Sequence, residues 1–221
     1  MGNAVEEEHP FPLTDTDRHV LSLTDDQYVY HDWADLENII KTNNLALLKR
    51  KPSDLRRYMD WTAKTISEYG SVTRYLLVHR LPKAWSAHPP YKPVSAVPFS
   101  EPEDYCVLIN DWPYGLTPDI THIVVWTCTP IPTDPATGDL TDESRAGVSS
   151  FVRRYFADSL SREDGQNGKG EDRVMWFKNW AQLQSVRQLE HIHVLVRNVP
   201  PSMLARWTDQ LLCRREQALY R

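Results

Sequence analysis

The segment Glu190-His191-Ile-His193-Val-Leu-Val196 constrains the fold more than any other part of the chain. Successive side chains of a β-strand point to opposite faces, so His191 and His193 would share one face, with Ile192 on the other. Burying two imidazoles costs free energy unless they are hydrogen-bonded or used in chemistry. The segment therefore predicts a buried strand that carries two groups able to titrate near neutral pH.

Periodicity and turn residues predict the remaining elements. Helices are predicted at about 32–48, 52–70, 142–156 and 202–219, and strands at 105–109, 122–126, 174–177 and 191–196. Segment 74–81 fits either a strand or a helix and stays open. The order of these elements predicts an α+β fold, in which helices pack on one face of an antiparallel sheet.

The chain divides into a short tail and one domain. Residues 1–22 are polar and acidic and predict a flexible tail. Residues 23–221 suit one domain, with a helical N-terminal extension over about 23–81. Segment 82–102 contains six prolines, which exclude regular structure and predict a long loop that wraps around the domain.

Composition excludes several classes of protein. The net charge is −5, so the chain offers no field that would attract a nucleic-acid backbone. No apolar run approaches the roughly 20 residues that a membrane span needs, and no secretory signal is visible. The three cysteines, Cys106, Cys128 and Cys213, show no C-x-x-C spacing, which argues against a disulfide framework or a structural zinc. We therefore expect a cytoplasmic protein whose partner is a small molecule.

Five motifs resemble those of one protein family. They are Leu48-x-Arg50-x-Pro52-Ser53, Tyr69-Gly70-Ser71, Asn110-Asp-Trp-Pro-Tyr-Gly115, His122-Ile-Val-Val-Trp126 and the segment from Trp180 to Arg197. On these residues the chain resembles the fungal N-acetylglucosamine-induced protein 1 family, from about residue 25 onward. This resemblance implies no particular reaction, because the family has no established activity.

A second resemblance, over about residues 104–197, is to the histidine-triad (HIT) superfamily of nucleotide hydrolases and transferases. The matching residues, in order, are Asp111-Trp-Pro113, His122-Ile-Val-Val-Trp126, Pro130-Ile131, a helix from about 142, Val174–Phe177 with Asn179, Gln184-Ser185-Val186 and His191-Ile-His193-Val-Leu195. Three extra residues separate the Gln-Ser-Val motif from the histidines, and only two triad histidines remain. The resemblance implies a HIT-like antiparallel sheet and, by analogy, a homodimer.

The HIT resemblance also implies roles for individual residues. His191 and His193 are the catalytic candidates, because a neutral imidazole can attack phosphorus. We favour His191 as the nucleophile, although a shifted alignment would give that role to His193. The residues expected to bind the substrate are Asp111, His122, Asn179, Trp180, Gln184, Ser185 and Arg187. Such side chains would hold and orient phosphate oxygens, since positioning and electrostatics supply most of the catalysis in phosphoryl transfer.

We favour a HIT-like enzyme that transfers or hydrolyses a phosphoryl or nucleotidyl group, on a nucleotide, a nucleotide sugar or a related phosphate ester, without a cofactor. One alternative is an acid–base enzyme of the lyase or cyclase type, acting in fungal secondary metabolism with the same pocket. Another is a non-catalytic protein that binds a sugar or a nucleotide. Two further hypotheses concern His191 and His193 themselves. They could bind a metal ion together with Glu190 or His122, or they could be structural residues that are only hydrogen-bonded. Glu190 would face away from the histidines on a regular strand, so no metal ligand is assigned.

Overall fold

A four-stranded antiparallel sheet forms the centre of the fold. The computed structural model describes residues 10–85, 89–163, 169–180, 183–184 and 186–208. The strands are β1 (Tyr105–Ile109), β2 (Ile120–Thr127), β3 (Val174–Phe177) and β4 (Glu190–Arg197). They lie in the order β1-β2-β4-β3, and every neighbouring pair is antiparallel. The two central strands, β2 and β4, are therefore those that carry the histidine motifs.

Helices lie before, between and after these strands in the sequence. Their bounds are α1 (Asp15–Leu21), α2 (Trp33–Lys41), α3 (Pro52–Tyr69), α4 (Val72–His79), α5 (Asp142–Val152), α6 (Asp158–Glu163) and α7 (Pro201–Trp207). A π-helical turn at Arg153–Ala157 joins α5 to α6. The segment 74–81, which the sequence left open, is therefore helical for most of its length. Among the described residues, no helix has both the length and the apolar character that crossing a bilayer requires.

The two faces of the sheet are covered by different parts of the chain. One face buries Ile123 and Ile192 against α5 and α7, through residues such as Phe151 and Trp207. The opposite face packs on α4 near β1 and β2, and on α2 near β3 and the end of β4. The predicted α+β fold with an antiparallel sheet is thereby confirmed; α5 and α7 pack on one face, and the predicted N-terminal helical region supplies the helices on the other.

The first residues of the chain depart in part from the predicted flexible tail. Residues 1–9 lie outside the described residues, but Asp15–Leu21 forms a helix. Thr14 and Asp17 make a reciprocal capping box, which satisfies backbone N–H groups at the helix start. Val20 is fully buried on this helix. Residues 15–21 of the predicted tail are thus helical, since a cap and one buried side chain favour the helix there, and flexibility of the tail stays a prediction.

Segment 82–102 follows the prediction of a long loop where it is described. Buried Asp104 accepts hydrogen bonds from the backbone N–H groups of Val94 and Ser95, both at 2.8 Å. The indole N–H of Trp85 donates to the carbonyl of Glu103 at 2.8 Å. These contacts attach the loop to the start of β1.

Candidate functional site

His191 and His193 lie side by side on β4 and line the same pocket. Their ring centroids are 5.2 Å apart, and their side chains face Trp126 and Val124 across the β2–β4 pairing. The pocket has a volume of about 80 Å³ and opens between the sheet and helices α3 and α4. The i, i+2 spacing on a strand thus places both imidazoles on one face, as the sequence predicts.

His191 is held as a neutral imidazole with one nitrogen available. Its Nδ1 lies 3.0 Å from the carbonyl oxygen of Leu189, which can only accept a hydrogen bond. Nδ1 therefore carries the proton, and Nε2 carries a lone pair. Burial lowers the pKa of His191 to about 4; the hydrogen bond to Leu189 acts against this shift, and the nearby Lys178 adds to it. The ring centroids of His191 and Trp126 are 4.5 Å apart, so a large apolar side chain packs against the imidazole.

His193 forms a hydrogen-bonded pair with His122 of β2. The Nδ1 atom of His193 lies 2.9 Å from Nε2 of His122. Burial lowers the pKa of His122 to about 3 and that of His193 well below its ordinary range, with the charge of Arg50 acting in the same direction. Three neutral imidazoles therefore meet on this face, two from β4 and one from β2.

Amide groups at both ends of this pair fix its orientation. The Nδ2 atom of Asn179 lies 3.2 Å from Nε2 of His193 and 3.2 Å from the hydroxyl of Tyr114, while its buried Oδ1 has no partner. The Nδ2 atom of Asn110 and the backbone N–H of Tyr114 both face Nδ1 of His122, at 3.3 and 3.4 Å.

The direction of the hydrogen bonds follows from these donors. If Nδ2 of Asn179 donated to Nε2 of His193, the proton of His193 would be on Nδ1 and would be donated to Nε2 of His122. The proton of His122 would then be on Nδ1, towards which the N–H groups of Asn110 and Tyr114 already point. The opposite amide orientation removes this conflict at His122, because Oδ1 of Asn179 then accepts from His193, and Nδ2 takes the buried position that has no partner. In that arrangement His122 Nε2–H donates to His193, and His193 Nε2–H donates to Oδ1 of Asn179. Both nitrogens of His193 are then occupied, whereas Nε2 of His191 has no hydrogen-bond partner among the described residues.

The other predicted site residues are only partly brought together. Asp111 lines the pocket and pairs with Arg80 at 2.9 Å, although its own burial raises its pKa. The side chain of Gln184 donates to the carbonyl of Asn179 at 2.7 Å and so supports that residue. Ser185 lies outside the described residues.

Two of the expected substrate-binding residues lie away from the pocket. Trp180 packs in the cluster around α2, and its indole N–H donates to Oδ1 of Asn43 at 3.3 Å. Arg187 is exposed and does not line the pocket. Trp180 packs on the same sheet face as the histidines, but beside Phe177 and Leu195 under α2, whereas the pocket lies under α3 and α4. Proximity in sequence to Asn179 and to the histidines therefore does not place either side chain at the pocket.

The hypothesis of a metal site at the histidines finds no support in the described part of the chain. No group of three or more His, Cys, Asp or Glu side chains there is arranged to hold a metal ion. Glu190, which was weighed as a ligand, instead pairs with Lys178 at 3.2 Å.

Arg50 is a pocket residue that reasoning from the sequence missed. Its Nε and Nη2 atoms donate to the carbonyl of Trp112 at 3.3 and 3.1 Å. The guanidinium lies over the ring of Tyr58, at 4.2 Å, and near that of Tyr114, at 5.2 Å. The residue stands in the motif Leu48-x-Arg50-x-Pro52-Ser53, so its position in that motif was the available signal.

Comparisons with known proteins place these residues in a wider group. A family model described as a protein of unknown function (DUF3605) matches residues 32–197. N-acetylglucosamine-induced protein 1 of Candida albicans is 28% identical over 185 residues, which cover 76% of this chain and 68% of the relative. An uncharacterised protein of Saccharomyces cerevisiae is 30% identical over 165 residues, covering 74% of this chain and 77% of the relative. The crystal structure of HTC1 superposes with a TM-score of 0.62 at 25% identity, covering 83% and 96% of the two chains.

Proposed function

The chain belongs to the DUF3605 family of proteins of unknown function, and we propose that it is an enzyme that transfers or hydrolyses a phosphoryl or nucleotidyl group through His191. The resemblance to the fungal N-acetylglucosamine-induced protein 1 family is confirmed by the same matches. The expected substrate is a nucleotide, a nucleotide sugar or a related phosphate ester. The HIT resemblance, a cytoplasmic location and a homodimer stay predictions.

One observation carries the proposal: His191 is neutral, is fixed in one tautomer and lines a pocket. The Leu189 carbonyl at 3.0 Å from Nδ1 holds the tautomer. With its pKa lowered to about 4, the imidazole carries a free lone pair at neutral pH. The hydrogen bonds of His193 occupy both of its nitrogens, which supports His191 over His193 as the nucleophile.

The proposed reaction has two displacements at phosphorus. In the first, the Nε2 lone pair of His191 forms a bond to phosphorus as the bond to the leaving oxygen breaks. The imidazole ring becomes positively charged, and the carbonyl of Leu189 stabilises that charge through the Nδ1–H bond. In the second, the oxygen of water bonds to phosphorus and the P–N bond breaks, which returns the electron pair to Nε2. One proton of the water passes to the leaving oxygen, so the imidazole ends neutral.

The test is turnover combined with trapping of the covalent intermediate. The purified full chain is incubated with a panel of phosphate-labelled nucleotides, nucleotide sugars and simple phosphate esters. We expect release of product and an acid-labile, base-stable label on histidine. His191→Ala should lose both, whereas His19→Ala, which replaces an exposed histidine, should keep both. Circular dichroism and thermal unfolding check that each variant is folded.

Two outcomes would overturn this proposal. The first is turnover that survives in His191→Ala, which would remove the nucleophile from the mechanism. The second is the absence of turnover and label with every ester in the panel, in a chain whose thermal unfolding is cooperative.

A second candidate function uses the same pocket for acid–base chemistry. The pocket volume of about 80 Å³ is smaller than the roughly 300–1,000 Å³ of sites that enclose a drug-sized ligand. Its walls are aromatic at Tyr58, Trp61, Trp112 and Trp126. These features favour a small or flat metabolite, from which His191 would abstract a proton. Turnover of such a metabolite without a histidine label, and lost in His191→Ala, would select this function.

A non-catalytic role in binding a sugar or a nucleotide is the remaining alternative. Thermal stabilisation by a ligand that is not consumed would select it.

A further inference from the structure

We propose that Arg50 is the anion-binding residue of the histidine pocket and that it holds the phosphoryl group of the substrate beside His191. The proposal deepens the proposed function, because it names the residue that receives the charged part of the substrate. It rests on that function only for the identity of the reacting group. The binding of an anion by Arg50 can be measured without any turnover.

The guanidinium of Arg50 is fixed before any ligand arrives. It lies over the ring of Tyr58 at 4.2 Å and near that of Tyr114 at 5.2 Å. The carbonyl of Trp112 accepts from its Nε and Nη2 atoms at 3.3 and 3.1 Å. Because the side chain is already ordered, the loss of its rotamer entropy does not oppose ligand binding.

Donors remain on Arg50 in a geometry that suits an oxyanion. A guanidinium has five N–H groups, and the Trp112 carbonyl uses one from Nε and one from Nη2. The edge formed by Nη1 and Nη2 is left for a ligand. Two parallel N–H groups on that edge match two oxygens of a phosphate or a carboxylate.

The charge of Arg50 is not neutralised within the part of the chain described. No carboxylate there lies within 4.0 Å of its guanidinium, and the pocket residue Asp111 is paired with Arg80 instead, at 2.9 Å. Its field reaches the histidines, since it contributes to the lowered pKa of both His122 and His193. A half-buried cation that repels protons from its neighbours is stabilised by an incoming anion.

The pocket places that anion next to the proposed nucleophile. Arg50, His191 and His193 line the same volume of about 80 Å³, which admits one small group and not a whole nucleotide. The aromatic side chains of Tyr58, Trp61 and Trp112 border the same volume. A phosphoryl group would therefore enter between Arg50 and the histidines, and the rest of the substrate would extend over the aromatic side chains.

The experiment is a titration of the full chain with inorganic phosphate at constant ionic strength, followed by calorimetry and by tryptophan fluorescence. Wild type should bind phosphate, and Arg50→Gln should weaken the binding by about 10–100-fold, as expected for the loss of charged hydrogen bonds. Arg50→Lys keeps the charge but not the two parallel donors, so it should bind between the two. Arg74→Gln removes the same charge from an exposed position on α4 and should bind like wild type.

Sulfate and acetate separate the two oxyanions that a guanidinium can bind. Displacement of phosphate by sulfate, with at least tenfold weaker competition by acetate, supports the phosphoryl assignment. Acetate competing as well as sulfate would overturn that assignment and make the ligand a carboxylate. The site itself is overturned if wild type does not bind phosphate, or if Arg50→Gln and Arg74→Gln bind it within twofold of wild type.

The outcome for Arg50 is independent of the outcome for His191. Phosphate binding that requires Arg50, without turnover of any ester, would refute the proposed function and leave the anion site standing. Turnover that requires His191, with normal phosphate binding by Arg50→Gln, would refute the anion site alone.

Discussion

Acid should destabilise this protein well before its carboxylates are protonated, because its histidine cluster is buried in the neutral form. The perturbation is a decrease in pH from 7 to 5. Burial lowers the pKa of His191 to about 4 and that of His122 to about 3, from an ordinary value of 6.5. Between the folded and unfolded pKa values the unfolded chain binds more protons, so the free energy of unfolding rises with pH in that range and falls as pH falls.

The magnitude follows from the width of this window. A difference of one pKa unit corresponds to about 1.4 kcal/mol, so a histidine that stays neutral loses about 2 kcal/mol of stabilisation between pH 6.5 and 5. His191 and His122 together should remove about 4 kcal/mol, and His193 adds to this loss because its pKa is also lowered. Such a loss is a large fraction of the 5–15 kcal/mol that separates typical folded and unfolded states.

The assay is urea unfolding at pH 7, 6, 5.5 and 5, with wild type, His191→Asn and His19→Asn. An asparagine at 191 keeps a donor for the Leu189 carbonyl but cannot titrate, so the pH slope below 6 should fall by about 1.4 kcal/mol per pH unit. His19 is exposed and lies outside the histidine cluster, so His19→Asn is the matched control and should keep the wild-type slope. His31, whose pKa is also lowered by burial, contributes equally to all three proteins. A wild-type stability that is constant from pH 7 to 5, or a slope unchanged in His191→Asn, would refute this reasoning.

Three further predictions concern stability and are measured by urea unfolding at pH 7. Gly147→Ala should stabilise the protein by roughly 0.5–1 kcal/mol, because Gly147 is inside α5 and an added Cβ would meet open space. An unchanged or lower unfolding midpoint would contradict this. Gly170→Ala should instead destabilise it, since its Cβ would lie 2.0 Å from the backbone oxygen of Ala157, and a neutral effect would show that this packing relaxes freely. Asp104→Ala should cost about 2–3 kcal/mol, because it leaves two backbone N–H groups of the proline-rich loop without their buried acceptor. Protease cleavage in segment 89–102 should accelerate in that variant, and equal cleavage rates would argue that other contacts hold the loop.

The strands were predictable because their signals are local. The alternation around His191 and His193 places both imidazoles on one face whatever the rest of the fold does. Thr141 caps α5 by accepting a hydrogen bond from the backbone N–H of Ser144, and this cap also lies within a few residues of the helix start. Gly70 ends α3 in the left-handed conformation, at φ 79°, where the predicted helix 52–70 also ends.

Predictions failed where contacts distant in sequence decided the outcome. At the start of α3 the side chain of Ser53 donates to Asp25, which is distant in sequence, and Lys51 precedes the helix. Trp180 was expected at the site because it follows Asn179. It lies against the α2 cluster, because the packing of the β3 edge directs its side chain there. Neither contact has a signature within a short window of sequence.

The sequence by itself determined which side chains could share a face: a strand has a period of two residues, and that period needs no tertiary information. This period predicted that His191 and His193 lie on the same face of one strand. The order of the predicted helices and strands added the antiparallel α+β fold. Only the tertiary structure decided that His122 bonds to His193, that Leu189 fixes the tautomer of His191, and that Arg50 reaches the same pocket from the N-terminal region. These outcomes depend on strand register and on the docking of α3 and α4 over the sheet. Both are set by the burial of apolar surface across the whole domain, which no single motif encodes.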